Sequence, residues 1–293
     1  MINKIDLQII EWIEANLRNS VFDLFFKIIT ELGDKFVFII IMLILFWAVN
    51  KRFSYKFLFA FLLSAIINTV IKVIVKRPRP YELGVESVGS KTKGYSFPSG
   101  HSQATGVIYY SLKEEFGKKH KALNWVLLII LILVPFSRMY LGQHFLSDVI
   151  VGALIGIIMS ILAFKLFELM KDKEHIYPLY GIPVVLILLI VFLKQDYSKF
   201  SELYVAGAGY IGFSLGYLIE KLYIKHNVET SLKNRILKVL IGLVIVAAIY
   251  FGLSTLFKGI NNESFILDFI RYFTLTLIAT TAIPYLFTKV FKE

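Results

Sequence analysis

Apolar residues in this chain arrive in long, nearly unbroken runs, and that feature limits its fold more than any other. A helix needs about 20 apolar residues to cross the hydrocarbon core of a bilayer. Only helices and closed barrels can satisfy every backbone hydrogen bond there. Tyr55–Val75, Leu146–Met170, Ile236–Phe257 and Phe265–Phe287 have the required length and character. Shorter or more polar candidates lie at Phe36–Val49, His101–Glu115, Leu123–Phe136, Tyr177–Leu193 and Leu203–Ile224. The expected fold is therefore all-α, a polytopic transmembrane helical bundle of nine spans. Composition agrees, since 57% of residues are hydrophobic and only 18% charged, too little polar surface for a soluble domain.

The third candidate span is the least apolar, because Ser102, Gln103, Thr105 and Ser111 interrupt it. A polar helix at membrane depth is expected to face the bundle interior or a water-filled cavity. At the N-terminus, Ile5, Ile9, Ile10, Trp12 and Ile13 alternate with Asp6, Gln8, Glu11 and Glu14. That pattern predicts an amphipathic helix lying at the membrane interface, and its early acidic residues do not suit a cleaved signal peptide.

The net charge of +11 is carried mostly by loops, where it orients the chain and attracts anionic headgroups. No nucleic-acid motif accompanies it, so no nucleic-acid partner is expected. Lys51, Arg52 and Lys56, then Lys113 to Lys121, Lys171 and Lys173, and Lys225 to Lys238 crowd one side, which the positive-inside rule makes cytoplasmic. The 76–100 loop and the turn near Arg138 then face outward. The absence of cysteine excludes disulfides, thiolate metal sites and a cysteine nucleophile.

Three short stretches gather ionisable residues at these outward ends. In the first, Lys72 and Arg79-Pro80 flank Lys76, Arg77 and Pro78. Lys72 and Arg79 stand two helical turns apart, so they share a face if the helix extends that far, and could clamp a phosphate. Lys76 and Arg77 read as interfacial residues whose charged ends reach for water. The second is Pro98-Ser99-Gly100-His101, where Ser99 suits a helix N-cap and Gly100 admits a ligand to the backbone. An anion fits such a helix start, and His101 would stand beside it. In the third, Ser137-Arg138 precedes His144 and Asp148, which are four residues apart and neighbours on a helical face. A carboxylate on one imidazole nitrogen leaves the other free to attack. A structural His–Asp pair or two metal ligands are the alternatives, although the surrounding cations would repel a metal and welcome phosphate.

Lys72…Arg79-Pro80, Pro98-Ser99-Gly100-His101 and Ser137-Arg138…His144…Asp148 resemble the three motifs of the type 2 phosphatidic acid phosphatase superfamily, in its order and without departure at a defining position. The resemblance runs from about Ile5 to Met170 and implies a six-helix phosphatase core in residues 1–173. Residues 174–293 then add transmembrane helices of unknown role, a layout similar to that of sphingosine-phosphate phosphatases. It further implies that His144 is the phosphoryl-accepting nucleophile, Asp148 its orienting partner and His101 the acid and base. Lys72, Arg79, Arg138, Ser99 and Gly100 would bind the phosphate, with no metal and no other cofactor. The implied substrate is a lipid phosphate or diphosphate, such as undecaprenyl pyrophosphate, phosphatidylglycerol phosphate or phosphatidic acid. Transfer of the same phosphoryl group to another acceptor is the enzymatic alternative, and an anion or lipid transporter the non-enzymatic one. Gly212-x3-Gly216 has the spacing of closely packed membrane helices and admits a homodimer through the C-terminal helices. His120, His175 and His226 fall in expected cytoplasmic loops and receive no role.

Overall fold

The structure is a computed structural model that describes residues 4–261 and 263–291, and every regular element in them is helical. In chain order the α-helices are α1 (Lys4–Leu17), α2 (Ser20–Glu31), α3 (Lys35–Ala48), α4 (Lys51–Val75), α5 (Gly100–Phe116) and α6 (Lys121–Tyr140). They continue with α7 (Leu146–Met170), α8 (Ile182–Val191), α9 (Tyr197–Ile219), α10 (Leu232–Ile260), α11 (Phe265–Thr280) and α12 (Ala282–Val290). Five stretches are long and apolar enough to cross a membrane: Lys51–Leu83, Lys121–Tyr140, Leu146–Lys173, Leu232–Ile260 and Phe265–Val290. The protein is an integral membrane protein.

Nine spans were expected, and the difference has a physical basis. The α3 helix has only 14 residues, and α8 is a 10-residue helix entered through a 3-10 turn over Tyr177–Gly181. Neither reaches the length a span needs. The α5 and α9 helices are instead covered by protein: Ser102, Gln103, Thr105 and Ser111 are all buried, as are Gly207, Gly209, Gly212 and Gly216. A helix shielded by its neighbours need not be apolar all round.

The chain divides into two compact units, one running to Ile39 and over Leu63–Ala163, the other over Ile40–Leu62 and from Phe164 onward. In the first, Ile10 and Ile13 of α1 pack with Phe26, Met139, Tyr140, Phe145 and Val149. Helix α1 is amphipathic as expected, with Ile5 and Trp12 turned outward, but Asp6 does not join its exposed face. It is 4% exposed and belongs to the site described below. Helices α5 and α7 approach closely because Gly106 and Gly156 lack side chains. A Cβ on Gly156 would lie 2.1 Å from the Gln103 carbonyl oxygen, and one on Gly106 2.3 Å from that of Ala153. Gly156→Val is therefore expected to lower stability by about 1–3 kcal/mol, because backbone cannot move aside as a flexible side chain can. Thermal unfolding in detergent checks this, and an unchanged midpoint would contradict the close packing.

In the second unit, α9 packs along α11. A Cβ on Gly212 would lie 2.8 Å from the Phe273 carbonyl oxygen, and one on Gly216 1.8 Å from Thr280 Oγ1. The small-residue face expected to associate helices is thus occupied within the chain. Trp47 stacks over Gly242 and donates its indole N–H to the Ala279 carbonyl at 3.1 Å.

Candidate active site

Helix α4 ends at Val75, and Lys76 takes a left-handed φ of 50° that reverses the chain. Lys72 and Arg79 consequently do not share a helical face. They meet instead across the loop, where Lys72 Nζ donates to the Tyr95 carbonyl at 2.6 Å and Arg79 Nη2 to the same oxygen at 3.3 Å. Arg79 also donates to the carbonyls of Lys93, Gly94 and Gln143 at 2.8–3.0 Å. Among the described residues its guanidinium donates to no carboxylate, while its backbone amide donates to Glu82 Oε2 at 2.7 Å. The Arg138 guanidinium, at the end of α6, likewise donates to no carboxylate among them. Its Nη1 and Nη2 donate to Thr30 Oγ1 and Thr92 Oγ1 at 3.0 and 2.9 Å, and its buried Nε has no partner among the described residues.

His144 lies in the turn between α6 and α7. Gly142 makes that turn possible: its φ is 69°, and a Cβ there would sit 2.5 Å from the Glu86 carbonyl oxygen. The imidazole is 1% exposed. Its Nε2 is 3.1 Å from Arg79 Nη1, while its Nδ1 is 3.4 Å from Ser96 Oγ and 3.6 Å from Asp148 Oδ2. The tautomer that satisfies both sides carries its proton on Nδ1 and presents the Nε2 lone pair to the cations. Burial holds the His144 pKa well below its ordinary value, and the charges of Arg79, Arg138 and Lys72 lower it further. The ring is therefore neutral, as a nucleophile must be.

Ser99 and Gly100 stand at the start of α5. The Ser99 amide donates to the Asp148 carbonyl at 3.0 Å, and its hydroxyl accepts from the Ser102 amide at 3.4 Å. Of the first-turn amides, those of Gly100 and His101 remain at the open end, where an anion would meet them. A Cβ on Gly100 would have only Asn68 Oδ1 near it, at 3.9 Å, so the space beside this glycine is open. His101 is a quarter exposed, with Nε2 3.9 Å from Asp34 Oδ2, and the charges of Arg138, Arg79 and Lys72 all reach it. Behind the cap, Asn68 Nδ2 donates to Gln103 Oε1 at 2.6 Å, and Gln103 Nε2 to Ser64 Oγ at 2.6 Å, anchoring α5 to α4.

Asp148 is fully buried and does more than face His144. Its Oδ2 accepts from the Phe145 amide at 2.9 Å and from the Ser96 hydroxyl. Its Oδ1 accepts from Arg77 Nη1 at 2.7 Å, and Arg77 Nη2 reaches Asp6 Oδ2 at 2.7 Å. Asp6 in turn accepts from the amide and hydroxyl of Ser147 at 3.0 and 2.5 Å. Arg77 is thus not an interfacial residue. It is 6% exposed and ties the N-terminal helix to Asp148. Arg77, Asp6 and Ser96 are the members of this site that sequence reasoning missed. Spacing carried no signal for them, because Asp6 and Arg77 are far apart in the chain and Ser96 is an ordinary loop serine. Among the described residues, no group of three His, Asp or Glu side chains is arranged to hold a metal ion.

Fold and site together define a helical membrane protein with a buried, neutral histidine facing the cationic side chains of Arg79, Arg138 and Lys72. Residues 53–171 match the PAP2 superfamily, and residues 204–292 match the PAP2 superfamily phosphatase, transmembrane extension. The chain belongs to the PAP2 superfamily. The crystal structure of Aquifex aeolicus LpxE superposes with a TM-score of 0.50 and 29% identity, covering 56% of this chain and 96% of that one. Phosphatidylglycerophosphatase B of Bacillus subtilis is 39% identical over 75 residues, which is 23% of this chain and 37% of the relative. Undecaprenyl-diphosphatase BcrC of the same organism is 33% identical over 76 residues, 26% of this chain and 37% of the relative. The chain thus spans little more than a third of the length of each of these two curated relatives.

Proposed function

We propose that this protein is an integral membrane phosphatase that hydrolyses a lipid phosphate or lipid diphosphate through a phosphohistidine at His144. The carrying observation is the placement of the His144 Nε2 lone pair 3.1 Å from Arg79 Nη1, with Nδ1 turned to Ser96 and Asp148. Arg79 Nη1 stands against that lone pair. A bound phosphate would draw the Arg79, Arg138 and Lys72 donors onto its oxygens, together with the Gly100 amide, and release Nε2 for attack. The Nε2–P bond then forms as the bond from phosphorus to the lipid oxygen breaks. With the negative charge of the phosphate offsetting those cations, His101 takes up a proton and donates it to the departing oxygen. In the second half His101 removes a proton from water, the water oxygen attacks phosphorus, and the N–P bond breaks to restore neutral His144. Asp148 steadies the positive charge that the ring carries in between.

Membrane embedding supports a substrate that arrives laterally from the bilayer. The relatives act, by name, on phosphatidylglycerophosphate and undecaprenyl diphosphate, and both carry the phosphate that these cations would hold. The asymmetry of loop lysines and arginines supports a site on the non-cytoplasmic side. In this reading residues 1–173 carry the catalytic machinery and residues 174–293 extend the membrane body.

The test is a panel of lipid phosphates in detergent with EDTA present, together with trapping of the intermediate in His101→Ala. Phosphate release is expected to withstand EDTA, because the three cations supply the charge neutralisation that a metal provides elsewhere. The His101→Ala protein is expected to release phosphate about 100- to 10,000-fold more slowly. It should accumulate an acid-labile, base-stable phosphoryl adduct on His144. Loss of activity in EDTA, or an adduct on a hydroxyl or carboxylate, would overturn the mechanism.

A further inference from the structure

A second basic site lies in the other compact unit and shares no residue with the proposed mechanism. Lys51 and Arg52 open α4, so they stand at the end of a helix long and apolar enough to cross a membrane. With Lys221, Lys225, Tyr55 and Tyr217 they line a cavity of about 370 Å³. The Tyr55 and Tyr217 rings stack at 3.5 Å between centroids and form its apolar wall.

The charges around this cavity do not cancel. Four cations (Lys51, Arg52, Lys221 and Lys225) stand beside Glu174 and Glu220, with Asp172 also within electrostatic reach of Arg52, which leaves a net positive charge of one. Glu174 and Glu220 are both saturated from within. Glu220, 1% exposed, accepts from Lys51 Nζ at 2.9 Å and from the His226 amide at 3.1 Å, and lies 2.8 Å from His226 Nδ1. Glu174 accepts from Arg52 Nε at 2.8 Å and from the Tyr217 hydroxyl at 2.5 Å, with Lys221 Nζ farther off at 3.6 Å. Lys225 is exposed and makes no ion pair among the described residues.

The backbone here is unusual as well. Residues Glu220–Ile224 form a π-helix that ends with Lys225 in the left-handed region at φ 52°, its amide bonded to the Glu220 carbonyl at 2.8 Å. Such turns are rare and cluster at functional sites, and a lysine is not the residue that left-handed backbone favours. The turn brings Lys221 and Lys225 to one cavity. Beside them, Leu222 and Tyr223 are 42% and 79% exposed, an apolar and aromatic pair suited to the lipid interface.

We propose that this cavity binds a phosphate anion, either the phosphodiester of an anionic phospholipid headgroup or free phosphate, separately from the catalytic pocket. The proposal does not depend on the phosphatase mechanism. Its test compares the full-length protein with a Lys221→Gln/Lys225→Gln variant and with a charge-keeping Lys221→Arg/Lys225→Arg variant. Native mass spectrometry counts retained phosphatidylglycerol against phosphatidylcholine, and a thermal-shift titration uses inorganic phosphate. Wild type and the arginine variant are expected to retain one more phosphatidylglycerol than the glutamine variant, with affinity at that site falling on the order of tenfold when the two charges go. Equal lipid retention, but a phosphate-dependent shift that is smaller in the glutamine variant alone, would assign the site to free phosphate. Identical lipid retention and identical phosphate shifts in all three proteins would overturn the proposal.

Discussion

His144→Gln is expected to reduce phosphate release from every lipid phosphate by about 10,000-fold or more, to the level of buffer. Glutamine keeps much of the volume of imidazole and can still meet Arg79, so the buried turn should persist. What disappears is the lone pair that forms the bond to phosphorus. The loss exceeds that expected for His101→Ala because the role proposed for His101 is proton transfer, which water can fill in part. The measurement is phosphate release at saturating substrate, with thermal unfolding as the control. A normal unfolding midpoint with lost activity supports the nucleophile. Retained activity with a normal midpoint would remove His144 from the mechanism and bring transport or a different nucleophile forward. A lower midpoint would assign part of any lost activity to folding, and accumulation of the adduct in His101→Ala would then decide.

Arg77→Met is expected to be the most damaging substitution outside the nucleophile itself. It leaves Asp6 and Asp148 buried without their shared cation, at 4% and 0% exposure. Removing one partner of a buried ion pair costs about 3–5 kcal/mol, because the orphaned charge has lost its water and now lacks its counter-charge. Here two carboxylates are orphaned together. Asp148 is then expected to turn from His144, and turnover falls with stability. Asp6→Asn removes only the remote carboxylate and keeps the Arg77–Asp148 contact of 2.7 Å, so its effect should be smaller on both readouts. Thermal unfolding in detergent and kcat for both variants check this. Normal stability and normal kcat in Arg77→Met would return Arg77 to the interfacial reading. Equal loss in both variants would move the decisive contact from Asp148 to Asp6.

The contrast between these residues shows where sequence reasoning succeeds. His144 and Asp148 are four apart, Ser99 and Gly100 open a helix, and Arg138 closes one. Local geometry governs such relations, so spacing and capping chemistry reveal them. Lys72 and Arg79 meet, but not for the expected reason: the helix ends at Val75, and they converge through the Tyr95 carbonyl rather than along a helical face. Arg77 was misread because Lys76 turns the chain at φ 50°, and a single left-handed residue sends its successor inward. His226, set aside as an isolated loop residue, is 1% exposed and hydrogen-bonded to Glu220.

The amino-acid sequence by itself determined the helical class, the membrane as solvent and the position of each motif, because these follow from hydropathy runs and from contacts within a few residues. Tertiary structure alone decided which cations face His144, which carboxylates share Arg77 and which helices lie inside the protein. Those outcomes depend on pairs distant in the chain, such as Asp6 with Arg77 and Thr30 with Arg138. Such pairs meet only when helices pack, and burial then makes the charge of each partner matter to the other.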